Sequence, residues 1–419
     1  MAKNRRFVTV LGLAAGTCSA AMVIVAVAGP VLRRREVEAL VREADATLSP
    51  PLTDRSDVDE VDCDRADALL REALDLDPHH GPAQRLEPLA SGCSALRRGD
   101  LILAEGALRT ASTQLEDDPR PQCWLGWLAL VLGRPDAART HFERSLEIDP
   151  GHAPSRLGLS DALAESGMAD DALRVLDDLA GAPNGIVEVR RGMVLEDLGR
   201  DEDAERAYRL AAELSPGQAA PWNNLAALAR ERGDLDAAWE LQQRAVELAP
   251  DDPVMLLNAG LLAIAVGLDD RAEELLGRAA ELDHDTADPA RALADHLLVR
   301  GVVERALEVL GPAIEQFPRD AALRNSLGNA LAAAGRPGEA RRAYQTALDT
   351  DEGLAEAHNG LAALSMAEGD LAGALVELER ALELSPDNEQ ARQNLSVVRD
   401  RLAERDLASG GDRLAQAHP

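Results

Sequence analysis

Aromatic residues are scarce in this sequence: tryptophan, tyrosine and phenylalanine together make up 2% of 419 residues. Hydrophobic residues nevertheless reach 46%, with alanine and leucine as the main contributors. This composition is typical of helices that pack through small side chains. It argues against a large aromatic-lined cofactor pocket, and we expect no bound cofactor.

Basic residues are also in deficit, and Lys3 is the only lysine. The chain has 74 acidic and 44 arginine or lysine residues, which gives a formal net charge of −30. A field of this sign repels nucleic acid, so we expect no nucleic-acid partner.

Recognisable catalytic and metal-binding motifs are lacking as well. The sequence contains no nucleophile elbow, phosphate-binding loop or dinucleotide fingerprint, and its eight histidines are scattered. We therefore expect no enzymatic activity and no metal site. The cysteines form no CxxC pair, although Cys63 and Cys93 fall in helices that should pack antiparallel. One interpretation is a disulfide between them, which requires a chain outside the cytoplasm, and the alternative is a pair of buried free thiols.

What the sequence does contain is a repeated unit, seen most clearly in residues 219–252. Gly233 supplies the left-handed conformation that a helix end needs, and Asp234 can cap the helix that follows. Pro250 has no amide hydrogen and ends that second helix. Apolar residues recur at three- and four-residue spacings in the first helix, at Trp222, Leu225 and Leu228. The unit is therefore predicted to be a helical hairpin that buries its apolar faces against neighbouring copies.

The turn glycine recurs every 34 residues, with one step of 32 between Gly167 and Gly199. The glycines are Gly99, Gly133, Gly167, Gly199, Gly233, Gly267, Gly301, Gly335 and Gly369. An alanine stands five residues after each of them, from Ala104 to Ala374. A second column of small residues runs from Ala111 to Ala381 with Leu179 as its exception, and Phe142, Tyr208 and Tyr344 share one position between the two columns.

This pattern of tryptophan, leucine, glycine, alanine, aromatic residue and proline resembles the tetratricopeptide repeat family. The resemblance covers nine repeats over residues 81–388. It implies an all-α fold, a right-handed superhelical solenoid of antiparallel helix pairs. It also implies that the first helices line a concave groove for peptides or partner proteins.

Residues 7–32 carry no charge and as a helix would extend roughly 39 Å, enough to cross a bilayer. A basic tail, residues 1–6, precedes this stretch, and an arginine triplet follows it. We expect a single-pass anchor in a bacterial inner membrane, with the repeats on the periplasmic or extracytoplasmic side. The alternatives are a cytoplasm-facing array, or a signal peptide cleaved near Ala28 that releases a secreted protein.

The remaining segments flank the repeats. Residues 33–80 are expected to form a linker helix and a divergent first repeat, with an insertion at 81–84. Residues 389–405 have the character of a capping helix, and 406–419 are expected to be a disordered tail.

Three zones of the predicted groove differ in chemistry. An early apolar cluster around Trp124 and Trp127 offers an anchor pocket, or else packs against the insertion or the preceding repeat. A mildly acidic strip in the middle is either a basic-peptide site or an ordinary solvated face; its residues are Asp161, Glu165, Arg190, Glu196, Asp197, Arg230 and Glu231. The later repeats present amides at Asn223, Asn224, Asn258, Asn325, Asn329, Asn359 and Asn394.

Asparagine side chains both donate and accept hydrogen bonds, so a line of them can hold an extended peptide backbone without reading its sequence. The alternative, which the family resemblance implies, is that asparagine is simply a frequent consensus residue at this position of the repeat. We expect a non-enzymatic, membrane-tethered scaffold or assembly factor that binds protein segments. The alternatives are a regulatory subunit of an enzyme complex and a cytoplasm-facing adaptor.

Overall fold

The computed structural model describes residues 34–48, 62–179 and 184–416, with side chains as far as 405. Within these ranges the chain forms 21 helices joined by short turns, and no strand. No helix there combines the length and apolar character needed to cross a bilayer. The predicted basic tail 1–6 and membrane segment 7–32 lie outside the described residues.

The chain divides into two compact units, Met1–Ser215 and Pro216–Pro419. Helix α1 of the first unit spans residues 34–47. The later helices of this unit are α2 (Cys63–Leu76), α3 (Gly81–Arg97), α4 (Leu101–Gln114), α5 (Pro119–Val131), α6 (Pro135–Ile148), α7 (Ala153–Glu165), α8 (Ala169–Asp177), α9 (Gly185–Asp197) and α10 (Asp201–Leu214).

The second unit continues the same alternation of helices. Its helices are α11 (Ala220–Glu231), α12 (Leu235–Leu248), α13 (Pro253–Ala265), α14 (Asp269–Leu282), α15 (Asp288–Val299), α16 (Val303–Gln316), α17 (Ala321–Ala333), α18 (Pro337–Thr350), α19 (Ala355–Glu368), α20 (Leu371–Leu384) and α21 (Glu389–Gln416). Helix α21 runs through Gln416, so the segment expected to be a disordered tail from 406 is helical as far as that residue.

The turn chemistry predicted for the repeats is confirmed. Gly233 adopts a φ of 78°, and the Asp234 carboxylate accepts a 3.2 Å hydrogen bond from the amide of Ala237 at the start of α12. All nine turn glycines have positive φ, from 65° at Gly133 to 82° at Gly369. These values lie in the left-handed region, where a side chain would be strained, so glycine is the residue that the turn requires.

The small-residue columns are confirmed as contact positions. Each alanine of the first column, from Ala104 to Ala374, is completely buried. The small residues of the second column are equally buried from Ala111 to Ala381, apart from the 7% exposure of Ala313, and the exceptional Leu179 is partly buried. A larger side chain at these places would hold the helices apart, because packed interiors leave no room for added methylenes.

The aromatic residues between these columns fit against glycines of the first helices. A Cβ added to Gly126 would lie 2.6 Å from a ring carbon of Phe142, and one added to Gly158 would also meet that ring. A Cβ added to Gly328 or to Gly360 would likewise collide with the ring of Tyr344. Each ring thus joins the first helix of its own hairpin to the first helix of the next.

Within each unit the helices form two layers. First helices of successive hairpins contact one another, as α13, α15, α17 and α19 do in the second unit. We call the layer formed by α11, α13, α15, α17 and α19 the first-helix face of the second unit. The prediction of an all-α array of antiparallel helix pairs is confirmed.

The amino-terminal helices are joined to the first unit by apolar contacts and one covalent bond. Val37, Val41 and Leu48 of the α1 region are buried with residues of α2 and α3 in one cluster. Cys63 and Cys93 form a disulfide between α2 and α3, with their Cα atoms 5.8 Å apart. The predicted insertion at 81–84 forms the first turn of α3.

Candidate functional site

Three of the predicted asparagines are hydrogen-bonded to one another across two first helices. Asn258 of α13 donates a 2.8 Å hydrogen bond to the side-chain oxygen of Asn223 on α11. Asn223 in turn donates to Asn224 over 3.3 Å. All three side chains are half-buried, so part of each remains open to a ligand.

The later asparagines have separate surroundings. Asn394 of α21 donates a 2.9 Å hydrogen bond to Asn359 of α19. The exposed Asn329 accepts one of 2.7 Å from the Tyr344 hydroxyl. The side-chain oxygen of Asn325 is buried without a hydrogen-bond partner among the described residues. The structure therefore brings most of the other asparagines together in small groups, while the oxygen of Asn325 has no hydrogen bond to any of them.

An apolar pocket of about 400 Å³ lies between α13 and α15 on the same layer. Its wall contains Val299, which is 88% exposed, and Leu261, which is 39% exposed. The lining residues are Leu257, Leu261, Ile264, Asp288, Arg291, Ala292, Asp295, His296 and Val299. A pocket of this volume falls within the range of ligand sites, roughly 300–1,000 Å³.

The polar residues of this pocket come from α15. Arg291 and Asp288 form an ion pair of 2.7 Å, which raises the pKa of the guanidinium. Burial raises the pKa of Asp295 above its usual value. The hydrogen bond from the Ser326 hydroxyl and the charge of Arg291 both lower this pKa, but the effect of burial is larger. The Asp295 carboxylate is therefore poorly solvated.

His296 closes the inner side of the pocket. It is 5% exposed, and its Nε2 lies 4.0 Å from a carboxylate oxygen of Asp269 without a hydrogen bond.

Asparagines stand on both sides of this pocket. Asn258 follows the lining residue Leu257 on α13. Asn325 precedes Ser326, whose hydroxyl bonds to the lining residue Asp295. Asn258 on α13 and Asn325 on α17 thus belong to the helices before and after α15 on the first-helix face, and neither is among the residues that line the pocket.

The two predicted tryptophans lie in the core of the first unit. Trp124 is 5% exposed and belongs to the cluster that contains the α1–α3 residues. Trp127 is 8% exposed and packs edge-on against Phe142, with ring centroids 5.5 Å apart. Both tryptophans thus pack in the core, as one of the two interpretations of the sequence expects. A partner could use them as an anchor pocket only if both rings left the core.

The acidic strip is partly neutralised within the first unit. Asp161 of α7 and the buried Arg190 of α9 lie 3.4 Å apart as an ion pair. Glu196 accepts a hydrogen bond from the Tyr208 hydroxyl. Glu165 and Asp197 belong to the same unit, and Arg230 and Glu231 lie at the end of α11 in the second. These partners leave less free negative charge than the sequence suggested.

Sequence reasoning missed the pocket between α13 and α15. A comparison of successive repeats could have indicated it. Leu257, Leu261 and Ile264 occupy first-helix positions, and the repeat before has Asn223, Ala227 and Arg230 at the same positions. Apolar residues at these positions distinguish one repeat from its neighbours. The contribution of Val299 from the next helix required the structure.

Models of the family described as "Tetratricopeptide repeat" match most of the repeated part of the chain. One matches residues 89–153, 189–253, 291–355 and 326–389, and another matches residues 129–184. The chain belongs to the tetratricopeptide repeat family. Among the described residues of this repeat protein, no group of three or more His, Cys, Asp or Glu side chains is placed to hold a metal ion.

Individual similar proteins match more weakly. The mouse (Mus musculus) interferon-induced protein with tetratricopeptide repeats 3 is 28% identical over 133 residues, which is 30% of this chain and 33% of that protein. The repeat protein thus matches about a third of that relative's length.

Two solved structures match longer stretches of the chain. The APC/C hetero-tetramer Cut9-Hcn1 matches 82% of this chain and 74% of its own with a TM-score of 0.49 and 18% identity. Yeast Tom70 matches 90% of both chains with a TM-score of 0.46 and 15% identity.

Proposed function

We propose that this chain is a non-enzymatic scaffold that binds an extended segment of a partner protein on the first-helix face of its second unit. The observation that carries the proposal is the apolar pocket between α13 and α15, flanked by Asn258 and Asn325. A bound segment would place one side chain in the pocket and bring its backbone amides to the two asparagines. Asparagine suits this role because its amide both donates and accepts.

The exposure of Val299 supports this role. A valine that is 88% exposed at the mouth of an apolar pocket leaves hydrophobic surface in contact with water. Isolated exposed apolar residues are common, but apolar surface grouped around a cavity marks interaction sites. Covering this surface with a partner side chain would stabilise the complex.

Membership of the tetratricopeptide repeat family supports binding rather than catalysis, because repeat arrays present extended surfaces to partners. A second part of the proposal is that residues 7–32 tether the array to a membrane. The Cys63–Cys93 disulfide supports an array that faces an oxidising compartment, since disulfides persist there and are rare in the cytoplasm. This favours the extracytoplasmic orientation over the cytoplasm-facing adaptor.

Peptide selection on the immobilised full-length protein tests the binding proposal. A random peptide library displayed on phage is the probe, and a selected peptide is then titrated in solution. Val299→Asn should weaken binding of that peptide about tenfold, because burial of a valine side chain contributes on the order of 1.5 kcal/mol or more. Asn325→Ala should also weaken binding.

Val376→Asn is the matched control, because Val376 is 65% exposed on α20, a second helix of the same unit. Its affinity should equal that of the unaltered protein. Equal affinity of the Val299→Asn variant, or a failure to select any peptide, would remove the proposed function. The tether is tested separately by alkaline extraction of membranes: the full chain should stay with the membrane, and a chain lacking residues 1–33 should be released.

A further inference from the structure

The pocket between α13 and α15 carries more negative charge than its ion pairs neutralise. Arg291 is the basic residue that lines the pocket, and it pairs with Asp288 over 2.7 Å. The carboxylates of Asp295 and Asp320 also lie close enough to Arg291 to raise its pKa. Two carboxylates and one guanidinium therefore line the α15 side of the pocket, and Asp320 at the start of α17 adds a further negative charge near Arg291.

Asp295 is the carboxylate that this arrangement leaves for a ligand. Among the described residues no basic side chain lies within the 4.0 Å of an ion pair with it, and its polar partner is the buried Ser326 hydroxyl. A carboxylate in poorly solvated surroundings gains more from an arriving cation than a fully hydrated one does. Its second oxygen can accept a charge-assisted hydrogen bond from an ammonium or guanidinium group.

The opposite wall of the pocket is aliphatic. Leu257, Leu261 and Ile264 all come from α13, and Val299 stands at the end of α15. Among the described residues that line the pocket, His296 alone carries an aromatic ring. Such a wall suits a branched aliphatic side chain through area burial and offers no face for ring stacking.

Resting on the proposed function, we propose that the bound segment carries an aliphatic residue with a lysine or arginine beside it. The aliphatic side chain packs between Leu261 and Val299, and the neighbouring cation pairs with Asp295. A segment with an acidic residue at that place would face Asp288, Asp295 and Asp320 and would be repelled. The pocket therefore selects its partner segments by charge as well as by shape.

The test compares analogues of one peptide selected on the full-length protein. The probes are the selected peptide, the same peptide with its lysine or arginine replaced by alanine, and the same peptide with glutamate there. For the unaltered protein the alanine analogue should bind about tenfold more weakly, and the glutamate analogue more weakly still. The selected sequences should share an aliphatic residue next to a basic one.

Two substitutions of the protein test whether Asp295 causes the preference for the basic peptide. Asp295→Asn keeps the shape and the hydrogen bond with Ser326, so it should bind the basic and alanine peptides within about twofold of each other. Asp295→Arg should reverse the order and favour the glutamate peptide. Asp349→Asn on α18 changes a carboxylate of a second helix in the same unit and should leave the preference for the basic peptide unchanged.

The outcomes separate this inference from the function on which it rests. If Val299→Asn weakens binding but Asp295→Asn keeps the full preference for the basic peptide, the charge assignment is wrong and the binding face stands. Selected peptides without a basic residue would overturn the assignment in the same way. If Val299→Asn binds every peptide as the unaltered protein does, the binding face itself is wrong, and the inference fails with it.

Discussion

The hydroxyl of Tyr344 donates a 2.7 Å hydrogen bond to the side-chain oxygen of Asn329. The ring of Tyr344 is buried in the array, and Asn329 is exposed on the first-helix face. One side chain thus fills the space between two glycines and also fixes an amide of the candidate site. Tyr344 therefore contributes both to the packing of the helices and to the position of Asn329 on the candidate binding surface.

Tyr344→Phe separates the two roles of this residue. The ring remains, while the hydrogen bond to Asn329 is lost, so the free energy of unfolding should fall by about 1 kcal/mol. Urea unfolding followed by circular dichroism measures the change. Tyr344→Ala should cost about 3–5 kcal/mol, because it also removes the ring from the core. Equal losses for the two variants would show that the ring contributes nothing.

The glycines that meet this ring give a second prediction. In Gly360→Ala the new methyl group would lie 2.5 Å from the Cζ ring carbon of Tyr344, a distance that forces the ring or the helix to move. The free energy of unfolding should fall by about 1–3 kcal/mol.

Gly277→Ala is the matched control, because no atom of the described residues lies within 4 Å of a Cβ at that position in α14 and no proline follows it. Alanine favours a helix over glycine, so this variant should be as stable as the unaltered protein or more stable by about 0.5–1 kcal/mol. If both variants lost the same stability, close packing against the ring would not be the cause.

The repeat period and the turn glycines made the fold predictable, because each copy of the unit has the same kinds of residue at its turn, its helix cap and its helix contacts. Gly233 and Asp234 could be assigned to a helix end and a cap from their residue types alone. The small columns at Ala104 and Ala111 could be assigned to helix contacts for the same reason.

The candidate site was less predictable because it depends on contacts between copies. The sequence shows asparagines at Asn223 and Asn258, but it does not show that they bond to each other. Trp124 and Trp127 have the appearance of an exposed apolar cluster, yet α1 and Phe142 help to cover them. The pocket requires Leu261 and Val299 from different repeats, and no column of identical positions brings them together.

The disulfide gives a third prediction. Peptide mapping without reduction should recover Cys63 linked to Cys93. Cys63→Ser with Cys93→Ser should lower the free energy of unfolding by about 3–4 kcal/mol, because the bond closes a loop with a sequence separation of 30. Recovery of both cysteines as free thiols from the natural compartment would contradict the disulfide and the orientation argued from it. Cys123→Ser serves as the single-cysteine control outside the bond.

Alkaline pH should weaken the array through two buried acids. Burial raises the pKa of the Cys123 thiol from 9.0 to about 12, and it raises the pKa of Tyr344 from 10.0 to about 12. Both groups are neutral when protonated, so folding disfavours their ionised forms. The stability that their protonated forms contribute is complete below pH 9 and is lost as pH rises toward 12.

The measurement is the urea midpoint as a function of pH, with Tyr344→Phe as the comparison. Between pH 9 and 12 the midpoint of the unaltered protein should fall more steeply than that of Tyr344→Phe, because the variant lacks one of the two groups. The thiol provides an independent reading: in the native protein Cys123 should react with iodoacetamide far more slowly than in urea, since the reactive thiolate is suppressed and buried. Equal rates in the two conditions, or parallel midpoints for the two proteins, would show that burial does not control these groups.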